Sequence, residues 1–145
     1  MKPASLAEVA RRSAADPDGD HHLREFLDTF YAADADRGAQ AAILAEAPAL
    51  LRDARADAFI GGAGEHLARR WGLPVPRWVR HEARHLTRPW FVPDLPDMRG
   101  DMLAVAPVGF RVTLIFTGPD PLQRARFPYR HGVISPPLDY PPAPS

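Results

Sequence analysis

Proline placement constrains this chain more than any other feature. Of its seventeen prolines, only Pro3, Pro17 and Pro48 precede position 74. A proline ring fixes its own φ, donates no backbone hydrogen bond and pushes the preceding residue out of the helical region. No regular element therefore runs through one. After Pro74 the intervals between Pro76, Pro89, Pro93, Pro96, Pro107 and Pro119 leave room for at most about three helical turns at a stretch. The first half is alanine-rich and open to longer helices. Together these facts predict a mainly α protein: one compact domain of five to seven short helices, joined by Pro-rich extended connections. The domain is expected to span residues 1–134, with N-terminal helices in 1–50 and a core unit in 53–127. In the segment 135–145 proline dominates, which predicts an extended or disordered tail.

Local signals place the elements. Ser5 and Glu8 spell a capping box for a helix toward Ala15. The Asp16-Pro17-Asp18-Gly19-Asp20 turn puts Asp20 where it would cap the next helix. In that helix Leu23, Phe26, Leu27, Phe30 and Tyr31 recur at helical spacing, the clearest amphipathic stripe in the chain. An Ala-rich helix over 39–47 stops at Pro48. Asp53 opens a further helix with Ala56, Phe59, Ile60, Ala63, Leu67 and Trp71 on one face and Gly72 as its stop. Within it, Gly61-Gly62-Ala63-Gly64 has neither the preceding strand nor the Lys-Ser/Thr of a phosphate loop, so the glycines are expected to permit close helix contact. Residues 78–86 should form a short helix, 89–93 an extended segment, and 96–107 a helix capped by Asp94. Residues 112–116, Val-Thr-Leu-Ile-Phe, fit a short strand or hairpin as well as the buried end of a helix. Phe26, Leu27, Phe30, Ile60, Leu67, Trp71, Trp90, Leu103 and Phe116 are the expected core.

Composition narrows the function classes. The absence of cysteine removes disulfides, thiol catalysis and Cys-ligated zinc, and fits a reducing cytoplasm. No apolar run is long enough to span a membrane, and the N-terminus lacks a signal-peptide core. Net charge is zero but uneven. Residues 1–58 carry seven Lys/Arg against eleven Asp/Glu, and residues 59–100 carry seven Arg against four Asp/Glu.

His81-Glu82-Ala83-Arg84-His85 spells the zinc-hydrolase motif H-E-x-x-H, in which a helix presents both histidines to Zn²⁺ and the Glu activates water. Its setting argues otherwise. Pro76 and Pro89 bracket it closely, Arg77, Arg80, Arg84 and Arg88 make it cationic, and no third ligand is selected. No metal or other cofactor is expected. The alternation of Asp16, Asp18 and Asp20 likewise fails as a Ca²⁺ loop, because His21 and Leu27 stand where the Gly and bidentate Glu belong. His21 and His22 are expected to face solvent. His66, beside Glu65, is expected to make a structural hydrogen bond.

The most distinctive composition is the set Arg69, Arg70, Arg77, Trp78, Arg80, Arg84 and Arg88. As a surface it could engage a protein partner or, as the alternative, nucleic acid. The competing reading puts Trp71 and Trp90 in the core, with the arginines as a solvated rim.

Glu65-His66-Leu67-Ala68, Gly72-Leu73-Pro74-Val75-Pro76 with Trp78, Pro89-Trp90-Phe91, Leu95-Pro96 with Arg99, Pro107 with Phe110-Arg111, and Ile115-Phe116 carry a resemblance. Over about residues 56–116 the chain resembles an uncharacterised helical domain of GC-rich bacteria, often found after an Xre-type helix-turn-helix and beside nucleotidyltransferase-like toxin genes. The resemblance implies an antitoxin-like or regulatory protein partner. Residues 1–50 lack a recognition-helix spelling, so DNA binding does not carry over. The combined expectation is a non-enzymatic, cytoplasmic protein-binding component. Nucleic-acid binding and zinc hydrolysis remain the alternatives.

Overall fold

The computed structural model of the chain describes residues 1–16 and 20–124. The expectations for the Asp16-to-Asp20 turn, for capping by the Asp20 side chain and for the 135–145 tail fall outside the described residues. Among those residues six helices form: α1 (Leu6–Ala15), α2 (Asp20–Ala32), α3 (Arg37–Ala45), α4 (Ala54–Arg70), α5 (Arg99–Val105) and α6 (Val108–Arg111). Two short strands, β1 (Trp90–Phe91) and β2 (Ile115–Phe116), pair in parallel with Trp90 opposite Ile115. The domain is mainly α, as the proline spacing predicts. No described helix is long and apolar enough to cross a membrane.

The N-terminal helices follow their local signals. Ser5 Oγ accepts from Glu8 N at 3.1 Å and starts α1, which buries Leu6, Ala7, Val9 and Ala10. The stripe on α2 buries Phe26, Leu27, Phe30 and Tyr31. Trp71 closes this cluster, edge-on to Phe30 at 5.4 Å and stacked on Tyr31 at 5.2 Å. The Tyr31 hydroxyl donates to Leu122 O at 2.6 Å, and burial raises its pKa. Asp36 caps α3 by accepting from Ala39 N at 3.0 Å, so this helix starts two residues before the alanine pattern suggests.

Helix α4 is the axis of the molecule. Asp53 caps it through the amides of Arg55 and Ala56, both at 3.1 Å. It ends as the sequence predicts: Gly72 takes φ +67°, Gly72 N donates to Arg69 O and Leu73 N to Ala68 O. That double bond is the Schellman stop, and burial of Leu73 completes it. Between the caps, residues 57–58 and 60–68 are buried without a gap, so the helix is covered on nearly every side.

The glycines make that enclosure possible. A Cβ on Gly61 would stand 2.9 Å from the Arg84 side chain, one on Gly62 2.5 Å from the Phe110 ring, and one on Gly64 2.6 Å from the Trp78 ring. Each bare Cα thus admits one large neighbour from the C-terminal half. Contact is closest at α6, where a Cβ on Gly109 would lie 2.5 Å from the backbone nitrogen of His66.

The C-terminal half departs from expectation in four places. Residues 78–86 form not one helix but two 3-10 turns, Arg77–Arg80 and Glu82–Arg84, because the chain extends at His81 with ψ 135°. Asp94 does not cap the next helix. It pairs with Arg99 at 2.7 Å, and a 3-10 turn, Pro96–Met98, leads into α5. Leu103, expected in the core, is 46% exposed, because seven-residue α5 docks only through Met102 and Ala106, one turn apart, against Phe116. Trp90 is half-buried rather than enclosed: it packs on Phe59, with the Arg55 guanidinium 4.8 Å above its ring. Segment 112–116 resolves into both of its readings. Val112 ends α6, Leu114 takes a left-handed φ of 65°, and Ile115–Phe116 becomes β2.

Two glycine-to-alanine changes should move stability in opposite directions. At Gly109 the added methyl meets backbone that cannot yield, and we expect Gly109→Ala to cost about 1–3 kcal/mol. At Gly100, in α5 with open space around it, alanine should stabilise by up to about 1 kcal/mol. Urea denaturation of both variants checks the contrast.

Candidate functional site

The H-E-x-x-H string does not build a metal centre of the hydrolase type. That chemistry needs the two histidines one α-helical turn apart on a single face. Here His81 lies between two 3-10 turns, and its Nδ1 accepts from Ala83 N at 3.0 Å as a local cap. His85 turns back, with Nε2 3.3 Å from Val79 O. The residue that organises the segment is Arg84, in the middle of the motif, whose stem lies against Gly61.

Arg84 is 2% exposed. Its Nη2 donates to Pro48 O at 2.5 Å and its Nη1 to Asp57 O at 3.4 Å, with the Asp57 carboxylate 3.8 Å away. The guanidinium lies 5.1 Å from the Trp78 ring centroid. Burial lowers its pKa, and the Asp57 charge opposes that shift. Asp57 in turn accepts from Leu51 N at 2.7 Å. Arg84 therefore fastens the loop before α4 to the helix, and a partner molecule cannot reach it.

The other expected contact residues separate in the same way. Arg70 is buried and pairs with Asp120 at 2.6 Å. Arg69 Nε donates to Glu65 Oε2 at 2.8 Å, and Arg80 Nη1 bonds Glu65 Oε1. Glu65 is 1% exposed, so two arginines neutralise one buried carboxylate. Trp78 is half-buried, with Nε1 donating to Leu44 O at 2.9 Å. Arg77 and Arg88 alone of the set are exposed without a role in this packing. The expected Arg/Trp surface is thus corrected: Arg70 and Arg84 are interior, Arg69 and Arg80 serve Glu65, and Trp78 fills the gap over Gly64. Sequence composition could count these arginines but not see which carboxylates answer them: Asp57 and Glu65 on α4 for Arg84, Arg69 and Arg80, and Asp120 for Arg70.

Several large apolar side chains, by contrast, stay on the surface. Leu95, Met98, Leu103 and Val105 are each 45–47% exposed. They cluster in eleven residues spanning the turn before α5 and α5 itself. Asp94, Asp97 and Asp101 stand among them, also exposed. An open cleft of about 420 Å³ is lined by Phe59, Val92, Pro93, Thr117 and Pro119. Its only carboxylate, Asp120, is committed to Arg70. His66 is buried beside Phe110, with ring centroids 5.6 Å apart. His22 is largely buried rather than solvent-facing, His21 keeps a partly exposed side chain, and both turn Nε2 toward Asp16.

Arginine-to-alanine substitutions should divide along these lines. Arg84→Ala strands Asp57 and two carbonyls and should cost roughly 3–5 kcal/mol, whereas Arg77→Ala and Arg88→Ala should stay within about 0.5 kcal/mol of the parent. Thermal melts of the three variants measure the difference.

No family model, no curated protein and no solved structure matches this chain.

Proposed function

We propose that this chain is a non-enzymatic protein-binding component of the bacterial cytoplasm, an antitoxin-like or regulatory partner of a protein encoded beside it. The observation that carries the reading is the exposed apolar group Leu95, Met98, Leu103 and Val105 on the turn and helix at 95–105. Large apolar side chains grouped in one segment and bordered by charge are the usual composition of a binding face, since desolvating them drives association. The border is acidic: Asp94, Asp97 and Asp101 stand against the single Arg99, itself paired with Asp94. A partner of matching chemistry presents an apolar groove rimmed by Lys or Arg. The resemblance over residues 56–116 implies the same kind of partner, and Leu95 of this exposed group is among the residues that carry it.

The nucleic-acid alternative loses most of its support with the arginines. Phosphate contacts need exposed cations, and Arg69, Arg70, Arg80 and Arg84 already hold protein acceptors.

Co-expression with the neighbouring gene product is the direct test. We expect a complex that survives physiological salt, and Leu103→Asp with Val105→Asp should weaken it by about tenfold or more while leaving the melting temperature nearly unchanged. Sub-micromolar, salt-sensitive affinity for DNA or RNA that is lost on changing Arg77 and Arg88 to Glu would reverse the assignment.

A further inference from the structure

Where the end of α1 turns toward α2, Asp16, His21 and His22 come together. His22 Nε2 lies 3.0 Å and His21 Nε2 3.7 Å from the same Asp16 atom, Oδ2. All three ligand-type atoms fall within 4.8 Å of one another. Helical geometry does not supply this by itself. Consecutive residues on an α-helix point about 100° apart, yet the two imidazole centroids are only 3.9 Å apart and both rings direct Nε2 at one carboxylate. Donors about 2.0–2.2 Å from a tetrahedral zinc ion stand roughly 3.3–3.6 Å from each other. The 3.0 Å hydrogen bond from His22 and the 3.7 Å separation from His21 bracket that spacing, so small side-chain rotations would fit the three donors to an ion.

We propose that Asp16, His21 and His22 form a binding site for a divalent transition-metal ion of the zinc class. The two Nε2 atoms and one Asp16 oxygen are its protein ligands, with water completing the shell. Two imidazoles and one carboxylate form a donor set of intermediate softness, which suits Zn²⁺, Co²⁺ or Ni²⁺ and not Ca²⁺ or Mg²⁺. His21 is 41% exposed at its side chain, so the open side of the site faces solvent and an ion can enter.

Two features hold the affinity down. The start of α2 presents the positive end of its dipole, which disfavours a cation. A ligating imidazole also carries its proton on Nδ1, and His22 Nδ1 is buried with no hydrogen-bond partner among the described residues. A missing second-shell acceptor commonly costs a metal site about 10–100-fold. The site therefore belongs in the micromolar class rather than with structural zinc. Its ion would join the C-terminus of α1 to the first turn of α2, clamping the hairpin that α1 and α2 form. Neither the α5 face nor the His81–His85 string takes part.

The test uses the full chain freed of metal by chelation. Zn²⁺ titrated calorimetrically should bind at about one equivalent and raise the melting temperature. Co²⁺ titrated in parallel should develop visible bands of a low-coordinate nitrogen and oxygen site. Asp16→Asn, His21→Ala and His22→Ala should each weaken Zn²⁺ binding by roughly tenfold or more. Asp16→Asn keeps the side chain's shape, so circular dichroism in chelator should show it folded. The double variant His81→Ala/His85→Ala should bind as the parent does. Zn²⁺ binding no tighter than millimolar in the parent overturns the proposal. So does parental affinity in folded Asp16→Asn, or binding that disappears only with His81 and His85.

Discussion

Helix α4 is wrapped by the rest of the chain because part of its backbone is bare. Gly61, Gly62 and Gly64 remove the side chains that would hold neighbours at ordinary helix-packing distance, and Arg84, Phe110 and Trp78 occupy the space released. Glycine in a helix interior costs about 1 kcal/mol relative to alanine. Here that cost is offset by burying an aromatic ring, an indole and an arginine stem directly on the helix. The prolines of the second half fit the same design. They break the chain into pieces short enough to be laid one after another around a single rod.

Once α4 is enclosed, its polar residues must be satisfied inside the protein. Asp57 and Glu65 are buried, and isolated buried carboxylates are too costly to persist. Arg84 answers the first, and Arg69 and Arg80 answer the second. The cationic cluster that dominates the composition of residues 69–88 is therefore largely internal electrostatics. This is also why the H-E-x-x-H spelling does not set its two histidines one helical turn apart on a single face. Its central arginine is turned inward, and the backbone extends at His81 to allow that. What stays exposed is the apolar side of α5, a helix too short to bury more than one of its sides.

Much of the fold was legible, and the legible parts share a cause: they depend on interactions within a few residues. Ser5 and Asp53 as caps, Gly72 as a left-handed stop and the Phe26–Phe30 stripe follow from local backbone chemistry and helical period. The glycine run was legible as a contact surface, though not the identity of what it contacts. Leu103 was misplaced because hydrophobicity names candidates for burial without saying which side of a seven-residue helix will find a partner. Segment 112–116 resisted assignment because its strand forms only against Trp90–Phe91, some two dozen residues earlier, and after a left-handed turn at Leu114.

By itself the sequence determined the helical class, the caps and stops of the long helices and the shortness of everything after Pro74, since φ restriction and missing donors act wherever a proline stands. Tertiary structure decided which charges are spent and which remain available. Arg70 and Arg84 read no differently from Arg77 and Arg88 along the chain. The difference lies in whether a carboxylate or carbonyl from a distant part of the chain faces them, as Asp120 faces Arg70 and Pro48 faces Arg84, and that depends on packing between residues thirty or more positions apart. The meeting of Asp16 with His21 and His22 was hidden in the same way. Their spacing in sequence fits many turns, and only the angle between α1 and α2 brings three donor atoms to one point.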